Sequence, residues 1–199
     1  MKTSVISKEF RDRYLSDPKN QNVFNGKAVV FEGPEDYHKR INDKKLKIDE
    51  NSILIIRGCG PVGYPGSAEV VNMQPPDRLL KKGITHLPTL GDGRQSGTSE
   101  SPSILHVSPE SAVGGDLGIV KTGDKMKIDL NKRRVDLLIS QSEFKKRRKN
   151  KKLFKANNQT PWQEIFRDTV GQLEDGACIN SRGNYLDVSN KKGLPRNSH

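Results

Sequence analysis

Cysteine is nearly absent. Cys59 and Cys178 are the only two in 199 residues, too few for a disulfide framework, and the expected compartment is reducing and cytoplasmic. Long hydrophobic runs are missing too. The longest apolar stretches, 53–56 and 135–139 with its aspartate, fall far short of the roughly 20 residues a membrane span requires, so no membrane partner is expected. Met1-Lys2-Thr3-Ser4-Val5-Ile6 has no hydrophobic region of the kind that starts a secretory signal. Apolar residues are scarce in general: 32% hydrophobic against 30% charged is polar for a compact chain. One domain with appendages is expected, part of the length being solvated.

Acidic residues are outnumbered, but only locally. The net charge of +11 owes eight of its basic residues to the stretch 145–155, Lys-Lys-Arg-Arg-Lys-Asn-Lys-Lys-Leu-Phe-Lys. The rest of the chain is close to balance. Such a run can bind phosphate or address a protein to the nucleus. It can equally be the exposed face of a helix starting near Ser140, with Glu143 suited to the N-terminal turn. The second reading is preferred because aromatic residues do not alternate with the cations to stack on bases. Nucleic acid is therefore not the expected partner.

Glycine, by contrast, is concentrated where chemistry could be. Gly58-Cys59-Gly60-Pro61-Val62-Gly63-Tyr64-Pro65-Gly66 leads into Ser67-Ala68-Glu69, and Gly91-Asp92-Gly93-Arg94-Gln95 leads into Ser96-Gly97-Thr98. Each loop follows a short apolar run, and each ends in a residue able to react. The first formally fits a dinucleotide fingerprint, but Pro61 and Pro65 prevent a helix from presenting its N-terminus there. A lone loop glutamate such as Glu69 is more often a solvated charge or cap than a metal ligand. Ser96 is not a nucleophile elbow, since Arg94 and Thr98 occupy the glycine positions of that motif. As a base it would need a nearby cation to lower its pKa, so Glu69 and Ser96 make chemical sense together or not at all. Cys59 is a possible soft ligand without clustered partners. His86 and His106, at strand ends, read as structural.

Around these loops the pattern predicts many short strands with helices packed outside, a mixed α/β domain without a regular βαβ repeat. Strands are expected at 27–31, 51–57 (β-branched, continuous and so covered on both faces), 84–90, 104–107, 117–121, 125–130 and 134–139. Helices are expected near 10–15, at 34–42, 77–82, after a cap at Ser108 with Pro109 in the first turn, and at 161–173. The last has Trp162, Ile165, Phe166, Val170 and Leu173 as its apolar set.

Residues 28–148 resemble the C-terminal domain of the IlvD/Edd dehydratases. The resemblance rests on Arg57-Gly58-Cys59-Gly60-Pro61, Gly63-Tyr64-Pro65-Gly66, Ala68-Glu69-Val70, Asn72-Met73, Asp92-Gly93-Arg94, Ser96-Gly97-Thr98, His106-Val107-Ser108-Pro109-Glu110 and Ala112-Val113-Gly114-Gly115. Among the family's branches, the aldonic- or pentonate-acid enzymes look most similar. Ser99-Glu100-Ser101 departs from the tyrosine–glycine common after the serine loop. The resemblance implies a hydro-lyase that turns a 2,3-dihydroxy sugar acid into a 2-keto-3-deoxy acid. It implies Ser96 as base, Glu69 as Mg²⁺ ligand and Thr98 lining the substrate pocket. It also implies an iron–sulfur cluster whose ligands lie in an N-terminal domain missing from this chain.

The expected organisation is a polar segment at 1–25, a swivelling β/β/α barrel-like domain at 26–150, a C-terminal helix at 151–182 and a tail at 183–199. The isolated chain is expected to be inactive and, once completed by its N-terminal domain, to form a homo-oligomer. The alternative is a non-catalytic paralogue that binds partners through 145–155.

Overall fold

The computed structural model describes residues 4, 6–65, 73–94, 100–151, 154–157 and 159–179. Its centre is one six-stranded mixed sheet, curled into a half-barrel. The strands are β1 (Val23–Glu32), β2 (Ser52–Arg57), β3 (Thr89–Gly91), β4 (Ser103–Ile104), β5 (Lys125–Asp129) and β6 (Arg134–Leu137). They lie in the order β4-β3-β2-β1-β5-β6. Pairing from β1 to β4 is parallel, while β5 and β6 join antiparallel.

Alternation along the two central strands fills both faces, because successive side chains of a strand point to opposite sides. Ala28, Val30, Ile53 and Ile55 enter one core cluster with Phe24, Met126 and Ile128. Val29, Phe31, Leu54 and Ile56 enter the other with Tyr37, Leu79 and Leu87. The two-sided burial expected of 51–57 is thus observed.

Five α-helices occur among the described residues: α1 (Lys8–Tyr14), α2 (Pro34–Arg40), α3 (Asp77–Leu80), α4 (Gln141–Lys149) and α5 (Pro161–Thr169). Their starts follow capping chemistry. Ser7 Oγ accepts from Phe10 N, Ser140 Oγ from Glu143 N and Thr160 Oγ1 from Gln163 N, each quenching an orphan donor of the first turn. No helix among the described residues is long and apolar enough to cross a membrane.

Several local expectations are corrected. The strand expected at 117–121 is a 3₁₀ turn, Asp116–Ile119; its apolar residues Leu117 and Ile119 are buried without joining the sheet. The helix expected after Pro109 is a 3₁₀ turn, Ser111–Val113, ended by Gly114 at φ +104°. The strand expected at 84–90 shrinks to three residues. It follows Pro88, which has no N–H to give and meets β2 only as acceptor from Leu54 N. At 104–107 the strand ends at Ile104 and His106 turns to φ +56°, although His106 N and Val107 N still donate to Gly93 O and Gly91 O. Residues 6–15, read as polar, contribute Ile6, Phe10 and Leu15 to the core. α5 ends at Thr169, and its apolar set is not buried: Trp162 is 78% and Ile165 52% exposed.

Candidate active site: the roots of two glycine loops

The parallel strands deliver their C-terminal ends to one edge of the sheet, the usual place for a site in such folds. β2 and β3 are neighbours there, with Ile55 opposite Leu90 and Ile56 opposite Gly91. The first glycine loop leaves β2 and the second leaves β3, so their roots stand side by side. Both are held by carboxylates with no solvent exposure, Asp92 and Glu110.

Asp92 reaches back from the second loop to the first. Its Oδ1 accepts from Cys59 N at 2.9 Å, and its Oδ2 accepts from Gly58 N at 3.1 Å. Oδ2 also takes Ser111 N at 2.9 Å and Ser111 Oγ at 2.5 Å. One buried side chain thereby ties together the first loop, the second loop and the turn at 111–113. Glu110 clamps the next residues of the first loop. Oε1 accepts from Val62 N and Oε2 from Gly63 N, at 2.9 and 2.8 Å. Gln172 closes the pair from the C-terminal side: its Nε2 donates to Glu110 Oε1, and its Oε1 accepts from Glu110 N, both at 2.9 Å. Arg167 of α5 donates to Val62 O at 2.8 Å.

Glycine is required at position 60 because this clamp is tight. A Cβ there would come within 2.5 Å of Glu110 Cδ. At the far end of the first loop, Tyr37 of α2 fixes the chain again. Its hydroxyl accepts from Gln74 N at 2.8 Å and donates to Gln74 O at 3.1 Å. The second loop rejoins the fold at Glu100, whose carbonyl accepts from Ser7 N, and at Ser101, whose buried hydroxyl donates to Leu87 O. Glu69, Ser96 and Thr98 lie outside the described residues, between these fixed points.

Arg57, at the end of β2, donates to both oxygens of Glu32 on β1 and to the carbonyls of Leu117, Gly118 and Val120. The turn at 116–119 is thereby sewn to the same edge. Cys59 is fully buried. Burial above all, with the charge of Asp92 second, pushes its thiol well above the ordinary cysteine range, so it stays protonated and is a poor ligand. Cys178 is exposed. His86 is engaged at the surface, with Nδ1 at 2.8 Å from Thr85 Oγ1 and 3.4 Å from Glu100.

The described donors do not fit an iron–sulfur cluster. Such clusters take three or four thiolates, and no group of three His, Cys, Asp or Glu side chains suited to a metal occurs among the described residues. Asp92 and Glu110 spend their lone pairs on protein N–H and O–H groups and are not vacant ligands. Sequence reading gave neither of them a role. The available signal was their position in Asp92-Gly93-Arg94 and Ser108-Pro109-Glu110, but the partners that define their work lie 19 to 62 residues away.

A glycine-loop edge braced by internal carboxylates on a mixed half-barrel sheet is the candidate site of this domain, and comparison with known proteins gives its class. Residues 13–177 match the family model described as dihydroxy-acid/6-phosphogluconate dehydratase C-terminal, and the chain belongs to that family. It is 56% identical over 199 residues to D-xylonate dehydratase of Caulobacter vibrioides, covering 100% of this chain and 33% of the relative. It is 50% identical over 125 residues to L-arabinonate dehydratase of Rhizobium leguminosarum bv. trifolii, covering 63% of this chain and 22% of that protein. With dihydroxy-acid dehydratase of Thermodesulfovibrio yellowstonii it shares 40% identity over 157 residues, 78% of this chain and 28% of the relative. The chain thus spans a third or less of the length of these relatives.

Proposed function

We propose that the chain is the C-terminal portion of a sugar-acid hydro-lyase acting on a pentonate such as D-xylonate. The observation that carries this reading is the 56% identity to D-xylonate dehydratase over every residue of the chain. In this reading the half-barrel is a swivelling β/β/α domain that presents the two glycine loops to a larger N-terminal part. The cluster is held there, because the thiols of this chain do not suit it. The complete protein is a cytoplasmic homo-oligomer.

The residues divide the work as follows. Glu69 is a hard oxygen ligand of the type Mg²⁺ takes. Mg²⁺ held by Glu69 would offset the charge of the substrate's carboxylate and favour an ionised serine nearby. Ser96 Oγ, as alkoxide, takes the proton from C2. The C2 electron pair forms the C2–C3 double bond as the 3-hydroxyl leaves as hydroxide, which takes the proton from Ser96 Oγ to become water and restores the alkoxide. The enol then moves its O2 proton to C3 through solvent and becomes the 2-keto-3-deoxy acid. Thr98 lines the pocket and orients the sugar hydroxyls. Asp92 and Glu110 keep the loop roots in register so that Glu69 and Ser96 meet the same substrate.

A chimaera tests this directly: the corresponding third of the Caulobacter enzyme is replaced by this chain, and D-xylonate dehydration is measured. The chimaera is expected to turn over, and Ser96→Ala within it to lose about 10²-fold or more in kcat. A folded chimaera that is inactive, or a Ser96→Ala form that is fully active, sinks the reading. The native species in source cells is expected to be much heavier than 22.3 kDa and to contain iron.

A further inference from the structure

Beside the loop roots lies a cleft of about 670 Å³, within the range of small-molecule sites. Its floor is formed by the ends of β1 and β2 and by the turns at 111–112 and 118–121; its wall is α4 with Asn150, Lys151, Phe154 and Lys155. Six cationic side chains line it, Arg57, Lys121, Lys146, Arg147, Lys151 and Lys155, against two carboxylates, Glu32 and Glu143. Both carboxylates are already paired, Glu32 with Arg57 and Glu143 with Arg147.

The six cations fall into two groups. Arg57 and Arg147 are structural. Arg147 is 11% exposed, holds Asp124 through two hydrogen bonds of 2.5 and 3.0 Å, and also donates to Ile119 O. Lys151 is half spent: its Nζ donates to Gly115 O, and its chain lies across Gly118, where a Cβ would come within 2.5 Å of Lys151 Cε. Lys121, Lys146 and Lys155 form no side-chain hydrogen bond or ion pair among the described residues. The cleft therefore carries uncompensated positive charge on flexible ammonium groups above a rigid floor. Phe154 stands with them in the lining, 39% exposed.

We propose that this cleft is a binding site for a small phosphate-bearing molecule, its phosphate oxygens held by Lys121, Lys146, Lys151 and Lys155. Lysines bind phosphate as mobile point charges, and several of them can converge on the oxygens of one multiply charged oxyanion. The fixed guanidinium groups beneath are neutralised by Glu32, Asp124 and Glu143, so the net charge of the cleft comes from its lysines. The site is independent of the dehydration chemistry. It does touch that edge of the sheet, since Gly58 and Ser111, both bound to Asp92, belong to its floor. An occupant would join α4 to the root of the first glycine loop.

The test is titration calorimetry of the 199-residue chain with inorganic pyrophosphate at physiological salt, and in parallel with inorganic phosphate. Saturable one-site binding is expected, tighter for pyrophosphate. Lys146→Glu and Lys155→Glu are each expected to weaken it at least tenfold. Lys132→Glu, on the distant β5–β6 turn, makes the same charge change and is expected to alter it less than twofold. All three positions are exposed, so the fold is expected to survive, as circular dichroism would verify; Lys121→Glu provides a further position should one variant fail. Absence of saturable binding overturns the proposal. So does an equal loss in all variants, which would mean diffuse attraction to net charge.

Discussion

Asp92 shows how one side chain can hold a site without reacting in it. Its two oxygens take four donors from two segments, 58–59 and Ser111, and it is fully buried. Asp92→Asn keeps the volume but turns an acceptor into an amide that points N–H at N–H. At least one backbone donor then loses its partner in the interior, at a cost of about 1–3 kcal/mol for each such group. The variant is expected to unfold at lower urea, with stability reduced by roughly 2–4 kcal/mol. A change below the error of the denaturation curve would mean that water replaces the carboxylate. Nothing local in the sequence announces this role, because an aspartate between two glycines reads as a turn residue. The glycines themselves were legible, and so was the resemblance that marks Glu69, Ser96 and Thr98.

At the scale of elements, the sequence was most readable where one local rule acts alone. β5 and β6 follow their alternating patterns, and α4 begins where Ser140 can cap it. The turn at 116–119 was misread because Leu117 and Ile119 are buried by tertiary packing, and Arg57 satisfies carbonyls that a sheet would otherwise have taken. The basic run is also less uniform than a solvated face. Arg147, Arg148 and Lys151 are spent on Asp124, Asp116 and Gly115 O. α2 offers a pH test of the same kind of anchoring. The Arg40 guanidinium, bonded to both oxygens of Asp36 and to Val30 O, holds the Asp36 carboxyl below its usual value of 3.8. A depressed carboxylate stabilises the fold above its unfolded pKa and loses that contribution as pH falls through the folded one. Asp36→Asn is therefore expected to be less stable than the parent at pH 7, with the gap narrowing steadily below about pH 4. A gap independent of pH would assign the effect to packing.

Over the whole molecule, the sheet was foreseen as short strands with helices outside, but its order was not. Placing β5 beside β1 requires pairing Phe24 with Ile128 across about a hundred residues of chain. Such long-range choices leave no periodic trace. The same limit explains α5. Its apolar stripe was legible, but a stripe states only that something covers it. In this chain Trp162 and Ile165 face solvent, while Arg167 is drawn back to Val62 of the first glycine loop and Gln172 to Glu110, which clamps that loop. Trp162 is the sole tryptophan, so fluorescence reports on this one surface. At micromolar concentration its emission is expected to sit near that of a free indole and to be quenched by iodide at close to the rate of an unfolded control. Protection from iodide together with monomeric sedimentation would mean that α5 folds onto its own chain, against the exposure seen here. Protection that disappears on dilution would instead mean that two copies cover each other's stripe. In the chimaera described above, the same residue would report whether the remaining two thirds of the enzyme covers this face or leaves it open.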